Sequence, residues 1–482
     1  MKENKMKRTL LFFAVSATLF ITACSKRDSN IDPVIPTDSD KENVVEITGD
    51  ITANTTWTAD KIYLLKGFVY VTNGAALTIQ PGTIIKGDKV TLGTLTITRG
   101  SKIIAEGTAD KPIVFTSSFA AGTRAPGDWG GLILLGKAPV NKPEGVKIEG
   151  GLDAKGDAPK YIQYGGTDKN DNSGILKYVR IEYAGVAFSP DNEINGLTLG
   201  GVGAGTTIDY VEVFRSGDDG IEWFGGTVNA KHLVVIGSVD DDFDSDFGFS
   251  GKVQFGIVQR YPNVADISGS NAFESDNDGN GTNDAPQTSA VFSNMTLIGP
   301  KALVGSTVNP LHQHAAQIRR NSSISIFNSV FAGFNEGVYI DDSKVVTAKA
   351  TSNNFAEGRL VFANNLVYGS NVLSNEVKGQ SKADFETKLR ADNVFDAALF
   401  ADAVIADPFK YSTGFANAGT PKFTVKAGSA AASGAAFTNS KLAGDFFENV
   451  AFKGAMGETD WTANWASFDP GTLPYTTPGA VK

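Results

Sequence analysis

The feature that most constrains the fold of this 482-residue chain is a strand-and-turn unit that recurs at uneven intervals. Its clearest copies place an Asn five residues before a Gly around a short apolar strand, in Asn294–Gly299, Asn328–Gly333 and Asn364–Gly369. A fixed strand separated by loops of variable length is typical of stacked coils, each of which is buried only against its neighbours. The sequence therefore predicts an all-β solenoid, a parallel β-helix, in which the repeated Asn amides pair from rung to rung.

Two further pairs of segments support this interpretation. Tyr178–Gly185 and Tyr210–Gly217 match at a displacement of 32 residues, and Leu77–Gly87 and Leu95–Gly107 match at 18. All four alternate apolar and polar residues and end at a glycine turn, as half-buried strands do. We expect each pair to occupy equivalent places on successive coils.

The N-terminus resembles the signal peptide of a bacterial lipoprotein. Basic residues precede the short apolar run Leu10–Ile21, and the sequence Ile21-Thr-Ala-Cys24 follows. We expect cleavage before Cys24, the only cysteine, and lipidation of its thiol, which would anchor the protein to a membrane. The predicted organisation is a signal peptide (1–23), a disordered tether (24–45), the β-helix (46–380) and a mixed C-terminal region that covers the end of the solenoid (381–482).

The charge of the chain limits its partners. The net charge is −10, and removal of the signal peptide, with its four basic groups and one acidic group, makes it more negative. A surface this acidic is a poor partner for nucleic acid and a better one for cations. The sequence lacks the motifs of nucleotide-binding loops, serine hydrolases and zinc proteases.

Four segments carry a resemblance to a family of Bacteroidota-type surface lipoproteins: ADKPIVFTS (109–117), GDWGGLILLGKAPVN (127–141), DNEINGLTLGGVG (191–203) and DWTANWASFDP (460–470). The resemblance implies a right-handed β-helix of the pectate-lyase kind and a place in the cell envelope, on an outer membrane, either periplasmic or surface-exposed. It implies no catalytic residues.

An acidic column is the most unusual expectation from the repeat. If Leu197, Ile221, Phe243 and Phe273 point into the core on successive coils, the residue after each one points outward. Rungs of a parallel sheet lie roughly 4.8 Å apart. The expected outer column is Thr198, Glu222, Asp244, Glu274 and Gln317, with a second column of Asp219, Asp241 and Asn271 beside it.

So many carboxylates require a counter-charge, a shared proton or free access to water. We predict that Asp219, Glu222, Asp241 and Asp244 hold Ca²⁺, which accepts six to eight oxygens in loose geometry. The alternative is a solvated acidic face screened by salt.

A second calcium candidate follows the D-x-[DN]-x-[DN]-G spacing. This loop lacks the bidentate glutamate of an EF-hand. The alternative is that it is a flexible polar loop without a bound ion. The predicted ligands are Asp276, Asp278, Asn280, Thr282 and Asp284.

Two functions are compatible with these residues. In the first, a cell-envelope lipoprotein uses its acidic, calcium-binding face to bind a glycan, such as an acidic polysaccharide, or another surface ligand. In the second, it is a calcium-assisted polysaccharide lyase or a related glycan-processing enzyme, with Glu222, Asp244, Glu274 and Arg319 as candidate catalytic residues. His312 and His314 are expected in a surface turn, and Trp129 and Trp223 either stack on sugars or pack in the core.

Overall fold

The computed structural model describes residues 43–152, 159–189, 192–302, 305–370, 382–409 and 420–482. Short strands dominate these residues, as expected from the repeated units. In chain order the strands are β1 Val44–Ile47, β2 Asp50–Ile51, β3 Thr55–Trp57, β4 Ile62–Leu65, β5 Phe68–Val71, β6 Ala76–Ile79, β7 Ile84–Gly87, β8 Thr94–Ile97, β9 Lys102–Glu106, β10 Ile113–Ser117, β11 Leu132–Leu135, β12 Gly174–Glu182, β13 Ala187–Ser189, β14 Asn192–Glu193, β15 Leu197–Gly200, β16 Thr207–Phe214, β17 Ile221–Phe224, β18 Asn229–Ile236, β19 Phe243–Asp246, β20 Lys252–Gln259, β21 Phe273–Ser275, β22 Val291–Ile298, β23 His314–Ile318, β24 Ser325–Phe327, β25 Val330–Ala332, β26 Glu336–Ile340, β27 Phe362–Ala363, β28 Leu366–Tyr368, β29 Val394–Asp396, β30 Ile405–Asp407 and β31 Lys422–Val425. The helices are α1 Pro159–Ile162, α2 Ala350–Ala356 and α3 Lys382–Asp392, with 3₁₀ turns at Ala401–Ala403, Ser440–Leu442 and Pro470–Thr472.

Two long parallel sheets form the walls of a right-handed parallel β-helix, which confirms the predicted fold class. One, here sheet A, has 17 strands. The other, sheet B, has ten strands in the order β2-β5-β8-β11-β15-β17-β19-β21-β23-β26. Because successive members of sheet B come from successive coils, residues at equivalent positions stack in columns along the cylinder.

The interior is one continuous apolar core filled by alternate residues of both sheets. Its largest members are aromatic and stack on one another, as Trp223 does on Phe249, with ring centroids 5.2 Å apart. Trp129 and Trp223 are both 0% exposed. The core-packing alternative is therefore the right one for these tryptophans, and neither is placed to meet a sugar.

The register confirms two of the three repeat alignments. Val179 pairs with Val211, which is the 32-residue displacement, and Val330 pairs with Leu366 in the Asn series. The 18-residue alignment is wrong, because Leu77 pairs with Ile103 on sheet A whereas Leu95 lies on sheet B. Apolar alternation is the same on both walls of the cylinder, so the pattern could not distinguish a shift between walls from a shift between coils.

The repeated Asn residues belong to a ladder that runs along one corner of the cylinder. Asn364 donates from Nδ2 to Oδ1 of Asn328 at 2.6 Å, and Asn328 donates to Ser293, whose hydroxyl bonds to Asn294. All three Asn residues have φ between 54° and 61°, in the left-handed region that Asn tolerates better than most side chains. In the preceding coils the same left-handed corner carries stacked rings: Tyr178, Tyr210, His232 and Phe255.

The C-terminal region divides between two locations. Helix α3 packs Phe385 and Leu389 into the end of the core, as the predicted covering of the solenoid requires. Residues 420–482, here called the strap, instead run along the ladder corner back toward the first coils. Asn328 bonds to the strap at Ala436, and Trp465 packs edge-on against Tyr210, with ring centroids 5.8 Å apart.

The end of the strap docks on the early coils through a buried charged network. Arg180 donates to the hydroxyl of Tyr475 at 2.8 Å and to the carbonyl of Val481, and Tyr475 donates in turn to Glu182. Arg180 and Glu182 are 2% and 0% exposed, so each charge requires this partnership.

A long connection between β11 and β12 lies on the outer face of sheet B. Ile148, Leu152 and Tyr164 of this insertion pack against Leu135 and neighbouring side chains of the sheet. The contact is close, since a Cβ on Gly150 would lie 2.5 Å from Ile194. The insertion therefore covers the earlier coils of this face and ends where the acidic residues begin.

No helix among these described residues has the length and apolar character needed to cross a bilayer. Cys24, the predicted signal peptide and nearly all of the predicted tether lie outside the described residues. The first strand begins at Val44, two residues before the predicted start of the β-helix.

Candidate functional site

The acidic column has the register that the sequence predicted. Thr198 pairs with Glu222, Glu222 with Asp244, and Asp244 with Glu274, and the column continues to Gln317. The inward residues Leu197, Ile221, Phe243 and Phe273 are likewise paired rung by rung. Strand alternation on sheet B thus brings three carboxylates from sequence-distant turns into one line.

Hydrogen bonds from each coil to the next hold the second column in place. Oδ1 of Asp219 accepts the backbone N–H of Asp241 at 2.8 Å, and Oδ1 of Asp241 accepts the N–H of Asn271. Asn271 repeats the pattern by accepting the N–H of His314 at 3.1 Å. Each carboxylate therefore uses one oxygen to tie its coil to the next and leaves the other for the space beside the acidic column.

The expectation that these side chains face solvent is wrong. Glu222 and Asp219 are each 7% exposed and Asp241 is 4% exposed, while Asp244 and Glu274 are only partly exposed. Glu149 of the insertion and Ser268 and Gly269 of the loop before β21 lie beside the column and line the same space. A freely solvated acidic face is therefore not what the structure contains.

These residues surround a cavity of about 150 Å³, here called the acidic cavity. Three more acids line it that the sequence did not select as ligands: Glu149, Asp218 and Asp240. Asp218 and Asp240 each precede a member of the second column, so the paired Asp-Asp turns were a usable signal. Glu149 comes from the insertion between β11 and β12, and no spacing rule could have found it.

Burial and mutual repulsion raise the pKa of these acids. The pKa values of Asp219, Glu222, Asp241 and Asp244 lie well above their usual range, first because of burial and then because of the neighbouring carboxylates. Burial and Asp266 raise the pKa of Asp240 to about 6, although Ser268 donates a hydrogen bond to it. An ionised cavity is thus costly unless a positive charge enters it.

Arg260 stabilises the turn before β19, the strand next to Asp241 that carries Asp244. Its guanidinium donates to Asp242 at 2.8 Å, and both side chains are fully buried. It also donates to the carbonyl oxygens of Asp240 and Asn271. Neither residue of this ion pair lines the acidic cavity, and the pair holds the backbone next to Asp241 in place.

Arg319 neutralises one end of the column. It donates from Nη2 to Glu274 and from Nε to Asp276, the latter at 3.0 Å, while Arg320 also pairs with Asp276. Burial alone would lower the pKa of Arg319, but these two carboxylates outweigh burial and raise it. Arg319 therefore stays protonated, which suits a charge partner and argues against a catalytic base.

The second calcium candidate is not assembled as the motif suggested. Asp276 faces the two arginines, and Asp278 accepts hydrogen bonds from the N–H of Asn280 and from Thr282 within its own loop. Asp284 is exposed. Among the residues that the structure describes, the clusters close enough to hold a metal include none of these loop acids. These internal hydrogen bonds are those of a local Asp/Asn/Gly turn.

Three sets of carboxylate oxygens in the acidic cavity lie within 4.8 Å of one another. They are Asp218/Asp219/Asp240, Asp219/Glu222/Asp244 and Asp241/Asp244/Glu274. In addition, Oδ1 of Asp240 and Oδ1 of Asp244 are buried and have no hydrogen-bond partner within the described ranges. Buried oxygens are normally satisfied, so these two are available to a cation or a proton.

Comparison with known proteins identifies the architecture and not the chemistry. Residues 49–404 match the family model described as "Pectate-lyase like beta helix domain". A search of curated proteins matches none.

Proposed function

Since the chain belongs to the family of pectate-lyase-like β-helix domains, we propose that its acidic cavity binds calcium and, through the calcium, an acidic glycan. The observation that carries this proposal is the pair of unsatisfied buried oxygens on Asp240 and Asp244, set among three groups of close carboxylates. Hard oxygen ligands in irregular arrangement suit Ca²⁺ better than Mg²⁺, which requires near-ideal octahedral geometry.

The cavity contains more carboxylate oxygens than the hydrogen bonds between its coils require. Asp219 and Asp241 each hold the next coil through Oδ1 and keep a second oxygen for an ion. Glu222 and Asp244 complete the set, and Asp244 belongs to two of the three oxygen groups. Bound calcium would supply the positive charge that these residues lack and would present its remaining coordination positions to a sugar carboxylate.

The alternative, a calcium-assisted lyase, needs a group that removes a proton from the sugar. Arg319 lines the cavity but is protonated and held by Glu274 and Asp276. Glu222, Asp244 and Glu274 have the raised pKa values of proton-transfer groups, Glu274 at about 7, because of burial and despite the Arg319 charge. These carboxylates are better placed as cation ligands, so binding is the function we favour.

Calorimetric titration of the purified, calcium-free protein with CaCl₂ tests the proposal. We expect saturable binding that Glu222→Gln and Asp244→Asn each weaken by about tenfold or more, since each removes a charged ligand. Asp278→Asn is the matched control, because it removes a carboxylate from the other candidate loop. Unchanged affinity in the cavity variants, or loss of binding in Asp278→Asn alone, would exclude the acidic cavity.

A second assay separates binding from catalysis. Pectate, alginate and glycosaminoglycans are incubated with the protein and calcium, and absorbance reports any unsaturated uronate. Calcium-dependent retention of one polymer without product supports binding. Product that disappears with Glu222→Gln would establish the lyase instead.

We also propose that the protein is a lipoprotein of the cell envelope, attached to the outer membrane through Cys24. The basic residues, apolar run and cysteine at the N-terminus support this location. Metabolic labelling with a palmitate analogue should mark the wild-type protein and leave Cys24→Ser unlabelled. Equal labelling of the two proteins would contradict the assignment.

A further inference from the structure

A larger cavity of about 750 Å³ lies on the same face of sheet B and begins on the coil that follows the acidic cavity. The two are joined through the acidic column, where Glu274 pairs with Gln317 and Gln317 with Tyr339. Gln317 and Tyr339 line the larger cavity, and Glu274 lines the acidic one. A ligand that follows the column would therefore pass from one cavity to the other.

Two histidines in its wall are ordered and buried, which corrects the expectation of a surface turn. His314 is 8% exposed and lies between Asn271, at 2.8 Å from Nδ1, and Glu336, at 3.1 Å from Nε2. Its ring stacks on Tyr339, with centroids 4.5 Å apart and planes 14° apart. Stacked on His314, Tyr339 presents a partly exposed aromatic surface in the cavity wall.

His312 is a buried and neutral part of the cavity wall. It is 2% exposed, and Nε2 lies 3.1 Å from the carbonyl oxygen of Tyr261, so this nitrogen carries the proton. Burial and the charge of Arg260 lower the pKa of His312 to about 3, so the ring is neutral. Its Nδ1 is buried as well, so His312 adds a neutral wall to the cavity and no exposed polar group.

The remaining polar groups of this cavity are amides and one carboxylate, from Gln313, Gln317, Asn335 and Glu336. No lysine or arginine is among the described residues that line it. Amides donate to and accept from hydroxyl groups, whereas the Glu336 carboxylate disfavours a second anion. An aromatic surface edged by such groups matches one apolar face and several hydroxyls on the same ligand.

We propose that this cavity is a subsite for a neutral pyranose ring, which stacks on Tyr339 and forms hydrogen bonds through its hydroxyls with the amides of the wall. The proposal rests on the proposed glycan-binding function and extends it to the ligand class: a polysaccharide in which a neutral sugar neighbours an acidic one. The acidic sugar would lie over the calcium, and the neutral sugar would lie beyond Gln317.

Saturation-transfer NMR tests the subsite without calcium. The purified protein in EDTA is mixed with methyl glycosides of neutral hexoses and 6-deoxyhexoses, with galacturonate and glucosamine as charged comparators. We expect saturation of at least one neutral glycoside, weakened about fivefold or more in Tyr339→Ala and retained in Tyr339→Phe. Gln313→Ala, at a partly exposed position, is the second variant if Tyr339→Ala fails to fold.

The design separates this proposal from the calcium proposal. Neutral-sugar binding should persist in Glu222→Gln, which disables the cation site, so loss of calcium binding alone leaves the subsite intact. Absence of any neutral ligand, preference for a charged comparator, or equal binding by wild type, Tyr339→Ala and Gln313→Ala would overturn it.

Discussion

Replacing Asp244 by Asn should stabilise the calcium-free protein and reduce the additional stability that calcium provides. Oδ1 of Asp244 is unpartnered within the described structure, so the amide keeps the shape of the side chain and sacrifices no hydrogen bond there. Its charge is close to four others, since its two oxygen groups include Asp219, Glu222, Asp241 and Glu274, each group within 4.8 Å.

The magnitude follows from Coulomb's law. Two unit charges 4.8 Å apart repel by about 3.5 kcal/mol at an effective dielectric constant near 20. Four such pairs would approach the whole stability of a typical domain, about 5–15 kcal/mol, so the calcium-free cavity must retain protons. After this proton uptake, we expect removal of the Asp244 charge to relieve about one pair, or ~3 kcal/mol, at pH 8.

Thermal unfolding in EDTA and in CaCl₂ provides the assay. Asp244→Asn should raise the Tm in EDTA at pH 8 and should reduce the further rise that calcium produces in wild type. Asp110→Asn is the control, because the Asp110 side chain is 89% exposed and remote from the cavity. An equal loss of Tm in EDTA and calcium would refute the reasoning and leave Asp244 a purely structural residue.

Three other perturbations have defined outcomes. Burial raises the pKa of Asp240 to about 6 and that of Glu274 to about 7. Their contribution to stability is therefore full below their unfolded pKa values and is lost as the pH rises through 6 to 7. The calcium-free protein should melt at a higher temperature at pH 5 than at pH 8, and a flat profile would contradict this. Arg260→Met should cost about 3–5 kcal/mol in urea unfolding by leaving Asp242 buried and unpaired, with recovery in the double variant that also carries Asp242→Leu. Asn328→Ala breaks hydrogen bonds to the ladder and the strap and should cost about 2 kcal/mol, with faster amide exchange in the strap; unchanged exchange would show that other contacts hold it.

The sequence predicted the acidic column because stacking in a β-helix copies each position onto the next coil. Once Ile221, Phe243 and Phe273 were aligned as inward residues, the pairing of Glu222, Asp244 and Glu274 followed from strand alternation alone.

The enclosure of the column did not follow from that periodicity. The enclosure comes from the insertion and from the loop before β21. The insertion is held by contacts such as the hydrogen bond from the Tyr70 hydroxyl to the carbonyl oxygen of Leu152. Glu149 enters the site by this route and leaves no spacing signal. Strand alternation predicts which face of the sheet a side chain lies on. It does not predict whether another part of the chain covers that face.

The loop from Asp276 to Asp284 illustrates a different limit. Asp, Asn and Gly at alternate positions satisfy a turn by local hydrogen bonds as readily as they surround a cation. The two cases differ in the direction of the Asp276 side chain. That direction depends on ion pairs with Arg319 and Arg320, which lie more than 40 residues later in the chain.

The most direct measurement is a crystal structure of the protein grown with a lanthanide in place of calcium, with the ion located by its anomalous signal. The account predicts a peak between the carboxylates of Asp219, Glu222 and Asp244, with Glu149 at its edge. A cavity without a peak at saturating lanthanide, or a peak confined to the Asp276–Asp284 loop, would contradict it.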